Sequence, residues 1–91
     1  MAFAFTCIVS GRVQGVGFRY FTRNKALELN LTGWVRNLPD GSVEVTASGT
    51  VQELERLLHC LKEGPVGSRV EKVEPQWLPE PQEFRGFEIR G

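Results

Sequence analysis

A chain of 91 residues has room for one small domain, expected over residues 1–91, and for no second core. Eleven Lys and Arg balance eleven Asp and Glu, so the broad basic face that nucleic acid or an anionic membrane surface requires is not expected. Two cysteines are too few for a disulfide framework; no run has the apolar length of a membrane helix, and the start lacks a signal peptide's basic region. The expected location is the cytoplasm.

The first element is the strand Phe3 to Ser10. Phe3, Phe5, Cys7 and Val9 share one face, and Ile8 makes the other partly apolar, which suits a strand inside a sheet. Cys7 reads as a small core side chain. Next comes Gly11-Arg12-Val13-Gln14-Gly15-Val16-Gly17-Phe18-Arg19, whose three glycines permit backbone angles that a side chain would block. It is not the G-x-G-x-x-G frame, because Tyr20 holds the third glycine's place, and no Gly-Lys-Ser/Thr closes a Walker-type loop. A glycine loop opening a helix can aim several N–H groups at one anion. Arg19, in the first turn, adds a planar fork of donors matched to phosphate. On spacing alone, a phosphate cradle and a ligand-free turn stand level.

The first helix runs from Phe18 to Leu29, with Phe18, Phe21, Ala26 and Leu29 roughly on one stripe. Asn30 suits the left-handed stop position, and Leu31 covers the last turn. Gly33 to Asn37 is a second strand, Leu38-Pro39-Asp40-Gly41 a turn, and the alternation of Val43, Val45 and Ala47 with polar residues a third strand. Thr50-Val51-Gln52-Glu53 is a capping box. It opens a helix with the stripe Val51, Leu54, Leu57, Leu58 and Leu61, closed by Gly64-Pro65. His59, the only histidine, and Cys60 point away from that stripe and read as exposed surface. Ser68 to Glu74 is a fourth strand that Pro75 interrupts, and the proline implies a sheet edge. Pro75, Pro79 and Pro81 make an irregular crossing in which Trp77 and Leu78 pack as a flap. Phe87 to Arg90 is a short last strand.

Strand, helix, strand, strand, helix, strand, with one short strand added, is the order of an α+β ferredoxin-like split βαβ sandwich. Two helices cover one face of a mainly antiparallel sheet of four strands plus a short fifth. Right-handed crossovers set the first and second strands parallel with the third between them. Asn37, at the end of the second strand, then stands beside the glycine loop that leaves the first. Its amide cannot act as a base at neutral pH, but it can both accept from and donate to a water. Arg19 can hold phosphoryl oxygens and stabilise the charge that grows on them. Positioning and electrostatics suffice for phosphoryl transfer when the leaving group is good. No nucleophile, general base or metal cluster accompanies these residues, so a mixed carboxylic–phosphoric anhydride fits and an ordinary phosphate ester does not.

Residues 11 to 19, G-R-V-Q-G-V-G-F-R, and 33 to 45, G-W-V-R-N-L-P-D-G-S-V-E-V, resemble the acylphosphatase family in order and separation. The capped second helix and the closing F-E-I-R are also similar, so the resemblance covers nearly the whole chain. It implies hydrolysis of acyl phosphates to a carboxylate and inorganic phosphate, without metal or cofactor. By that resemblance Arg19 binds the phosphate, Asn37 positions the attacking water, and N–H groups of Gly15, Val16, Gly17 and Phe18 complete the cradle. Gly17 departs from those relatives that carry a side chain there, which would loosen the loop. Gln14 reads as a brace, Tyr20 and Trp34 as packing residues with substrate contact as the lesser alternative, and Arg12 as exposed, either steering anions or plain surface.

The expected partners are a small-molecule acyl phosphate and inorganic phosphate, with no nucleic acid, no membrane and a monomeric state. The alternative is a non-catalytic module that binds carbamoyl or acyl phosphate, since similar domains stand at the front of hydrogenase-maturation proteins. The end at Gly91, with no zinc-finger or transferase sequence following, favours the free enzyme. An RNA-binding sandwich is disfavoured because its aromatic sheet motif is absent.

Overall fold

The computed structural model describes residues 2–91. In chain order they form β1 (Phe3–Arg12), α1 (Phe18–Glu28), β2 (Thr32–Asn37), β3 (Val43–Gly49), α2 (Val51–Glu63), β4 (Arg69–Trp77) and β5 (Phe87–Arg90). One sheet holds all five strands in the order β4-β1-β3-β2-β5. Every neighbouring pair is antiparallel except β2 and β5, which are parallel. Both helices lie on one face, α1 over β2 and β5, α2 over β4 and β1. This is the expected ferredoxin-like arrangement, with the short fifth strand placed outside β2.

The core follows from strand alternation. Phe5, Cys7 and Val9 of β1 share a side with Val43, Val45 and Ala47 of β3 and Val35 of β2, and all are buried. Against them lie Phe18 and Ala26 of α1 and Leu54, Leu57 and Leu61 of α2. Burying each larger side chain contributes roughly 1.5–3 kcal/mol. The stripe of α1 is Phe18, Thr22 and Ala26, and Thr22 is tolerated there because its hydroxyl donates to the Phe18 carbonyl oxygen at 2.9 Å. Phe21 and Leu29 are only half-buried, Phe21 with its ring centroid 5.9 Å from that of Phe18.

The helix ends are built as their residues require. Leu31 N–H donates to Ala26 O at 2.9 Å and Asn30 N–H to Leu27 O at 3.1 Å, with Asn30 at φ 59°, a Schellman closure that buries Leu31. At the start of α2, Thr50 Oγ1 accepts from Glu53 N–H at 3.3 Å and donates to the Glu53 carboxylate at 2.9 Å. Glu53 thus closes on the hydroxyl, not on a backbone N–H. Val51, expected in the apolar stripe, is 37% exposed.

Three other expectations change. β1 continues past Ser10, with a register shift between Ser10 and Gly11 that keeps Gly11 and Arg12 paired with β4. β4 continues through Pro75, which sits opposite Cys7; an edge strand has one side with no strand to bond, so the missing N–H need not break it. Trp77 is therefore a strand residue, opposite Phe5 and edge-on to its ring at 5.5 Å, and not part of a flap. The chain after it crosses the helix-free face, where Leu78 N–H donates to Ala4 O and Ser48 Oγ donates to Gln82 O at 2.7 Å. No helix among the described residues is long and apolar enough to cross a membrane.

Candidate active site

β1 and β2 are both antiparallel to β3, so they run parallel and end at the same margin of the sheet. The loop after β1 and the last residue of β2 therefore meet. Gly15, Gly17, Arg19 and Asn37 line one cleft of about 180 Å³, floored by Val13 and Phe18 and bordered by Tyr20. Val16, expected to contribute only its backbone N–H, has its side chain half-buried against the core.

Gly15 and Gly17 take φ of 74° and 77°. A Cβ at either would meet nothing within 4 Å, so the conformation and not the space calls for glycine. Gly17 is the N-cap of α1, and no side chain caps that end. The helix's first backbone bond runs from Phe21 N–H to Gly17 O at 3.0 Å, so the N–H groups of Phe18, Arg19 and Tyr20 have no intrahelical partner. The first turn carries no acidic residue. Among the described residues Arg19 makes no ion pair with a carboxylate. Helix terminus and guanidinium therefore add their positive charge in one place.

Asn37 is on the helix-facing side of β2, in register with Val43. Its Oδ1 is buried, and no donor among the described residues reaches it. Such an acceptor costs about 1–3 kcal/mol unless water or a ligand satisfies it. Gln14 fixes the distance between the two halves of the site. Its Nε2 donates to Leu38 O at 2.8 Å and to Ser42 O at 2.9 Å, tying the loop to the turn that follows Asn37. Asp40 shapes that turn by accepting from Ser42 N–H at 3.0 Å and Ser42 Oγ at 2.5 Å. The Ser42 hydroxyl and then its N–H hold the Asp40 carboxyl below its usual range.

Other candidates lie elsewhere. Trp34 is half-buried on the helix-free face, flanked by the guanidinium groups of Arg36 at 5.1 Å and Arg90 at 5.0 Å. His59 is exposed, while Cys60 is half-buried in the groove between the helices, not exposed as expected. Arg12 is exposed at the end of β1, opposite Arg69. No group of three His, Cys, Asp or Glu residues among the described ones is arranged to hold a metal ion.

The reading of Tyr20 as a packing residue also fails. Expected to pack, it is 64% exposed at the cleft. The signal was present: two residues beyond Phe18 is about 200° around a helix, so burying Phe18 turns Tyr20 outward.

Comparison with known proteins bears on the family. The acylphosphatase family model matches residues 5–89. An acylphosphatase of Thermus thermophilus is 55% identical over 82 residues, 90% of this chain and 92% of that protein. The crystal structure of an acylphosphatase from Bacillus subtilis superposes with a TM-score of 0.95 at 36% identity, all of both chains being covered. A full-length HypF in its phosphate- and nucleotide-bound form matches with a TM-score of 0.88 at 29% identity, covering all of this chain and 12% of that one. Its loop, strands and helices together with these likenesses show that this chain belongs to the acylphosphatase family.

Proposed function

We propose that the cleft hydrolyses acyl phosphates by direct attack of water on phosphorus. Arg19 and the N–H groups of residues 15 to 18 hold the phosphoryl oxygens, and Asn37 Oδ1 accepts a hydrogen bond from the attacking water. The new P–O bond forms from the water oxygen as the bond from phosphorus to the acyl oxygen breaks. The carboxylate leaves with the electron pair, and the water's proton passes to phosphate or solvent. A carboxylate needs no proton to depart, so no general acid is called for. Arg19 supplies the charge stabilisation, and the reaction proceeds without metal.

The observation that carries this reading is the buried, unpartnered Asn37 Oδ1 beside an Arg19 with no carboxylate partner. Hydrolysis of benzoyl phosphate in the presence of a chelator tests it. Wild type is expected to turn over, while Arg19→Ala and Asn37→Ala each lose about 10²-fold or more in kcat. Full activity in either variant would sink the mechanism. The likeness to HypF favours a second reading, a phosphate-binding module, which calorimetric phosphate binding without any turnover would select.

A further inference from the structure

The cleft encloses about 180 Å³, below the ~300 Å³ at which pockets begin to enclose a small organic molecule. On the hydrolase reading above, a cleft of this size takes the phosphoryl group and its attacking water, which leaves the acyl part of the substrate at the mouth. Val13 and Phe18 are buried in the floor, and Arg19 and Asn37 are half-buried. Tyr20 alone among the lining side chains is broadly exposed. The two aromatic pairs among the described residues, Phe5 with Trp77 and Phe18 with Phe21, leave its ring out. So do the cation–π contacts. Its backbone is fixed in the first turn of α1, next to Arg19, so ordering the ring against a ligand involves only its two side-chain torsions.

We infer that Tyr20 is the acyl-side contact of the site, its ring face receiving the flat apolar part of an acyl phosphate. Aromatic acyl phosphates are then bound better than acetyl phosphate, which has no face to stack. This inference rests on the hydrolase reading above. A contact to the non-reacting end is equally strong in the ground and transition states, so it acts on KM and leaves kcat in place.

The test is steady-state hydrolysis of benzoyl phosphate and acetyl phosphate by wild type, Tyr20→Ala and Tyr20→Phe, with inorganic phosphate as inhibitor. Tyr20→Ala is expected to raise KM for benzoyl phosphate about fivefold with kcat preserved. Acetyl phosphate kinetics and phosphate inhibition should change by less than about twofold, and Tyr20→Phe should match wild type. Equal losses on both substrates, or no change on either, overturn the inference. So does a loss of phosphate inhibition in Tyr20→Ala, because the ring would then be supporting the cradle. Failure of the wild type on both substrates overturns the hydrolase reading itself, a result distinct from all of these.

Discussion

Gln14 spends both of its amide hydrogens on carbonyls of the turn that follows Asn37. That makes it a positioning residue: it sets the separation between the cradle, which holds the phosphoryl group, and the amide that aims the water. Displacements of about 1 Å in such a geometry cost on the order of 10²-fold in rate. Gln14→Ala should therefore lower kcat by about 10- to 100-fold, with inorganic phosphate binding changed far less. A plain structural role would weaken phosphate binding and kcat together, so inhibition by phosphate measured beside kcat decides between them. Arg19 and Asn37 could be located from the sequence because strand order alone carries the end of β2 to the end of β1. Tyr20 could not be assigned from its residue type, since an aromatic in a first turn packs or faces solvent according to how the helix docks. Val16, expected to offer only its N–H to the cleft, packs its apolar side chain against the core.

At the scale of elements, the entry to α1 departs from the common pattern in which Ser, Thr, Asp or Asn caps a helix from an extended conformation. Gly17 sits instead at φ 77° and ψ 21° with no side-chain cap, leaving the first-turn N–H groups directed at whatever occupies the cleft. A side chain at this position strains the backbone although space is open, so the conformation of the loop favours glycine there. Gly17→Ala is expected to cost about 1–2 kcal/mol, lowering Tm by roughly 4–8 °C for each kcal/mol in a chain of this size. Gly17→Asn should cost less, because Asn tolerates the left-handed region. Thermal unfolding of both variants is the check, and an alanine variant as stable as wild type would show that this conformation is not held. Elsewhere the legible elements were those with local signals, such as the Asn30-Leu31 stop and the Thr50 cap. Strand ends were harder, because Gly11, Arg12 and Pro75 stay in strands only through pairing between β1 and β4, which local sequence does not display.

For the whole molecule, the sheet order followed from counting elements and applying right-handed crossovers, whereas the path of residues 78 to 86 depended on contacts with Ala4 and Ser48 far away in sequence. The centre of that sheet also determines how the fold responds to alkali. Cys7 is buried between Val45 of β3 and Pro75 of β4. Burial pushes its thiol up to about 12, and the nearby Glu74 carboxylate also raises it, against a hydrogen bond from the Glu74 backbone. In the unfolded chain the thiol ionises near ~8.5. Between these values the folded state keeps a proton that the unfolded state has lost, so stability falls as pH rises through this window and is unaffected below it. The slope reaches up to about 1.4 kcal/mol per pH unit. Denaturant midpoints measured at about pH 8 and about pH 11 should fall more steeply in wild type than in Cys7→Ala. The alanine variant will be weaker near pH 8 by ~1 kcal/mol from the lost packing. Other groups that titrate in alkali are common to both proteins and cancel in the comparison. Equal slopes would mean that Cys7 ionises in the folded core as readily as in the open chain. Thiol reagents give an independent reading, for they should modify the half-buried Cys60 well before Cys7 and reach Cys7 only as the sheet opens.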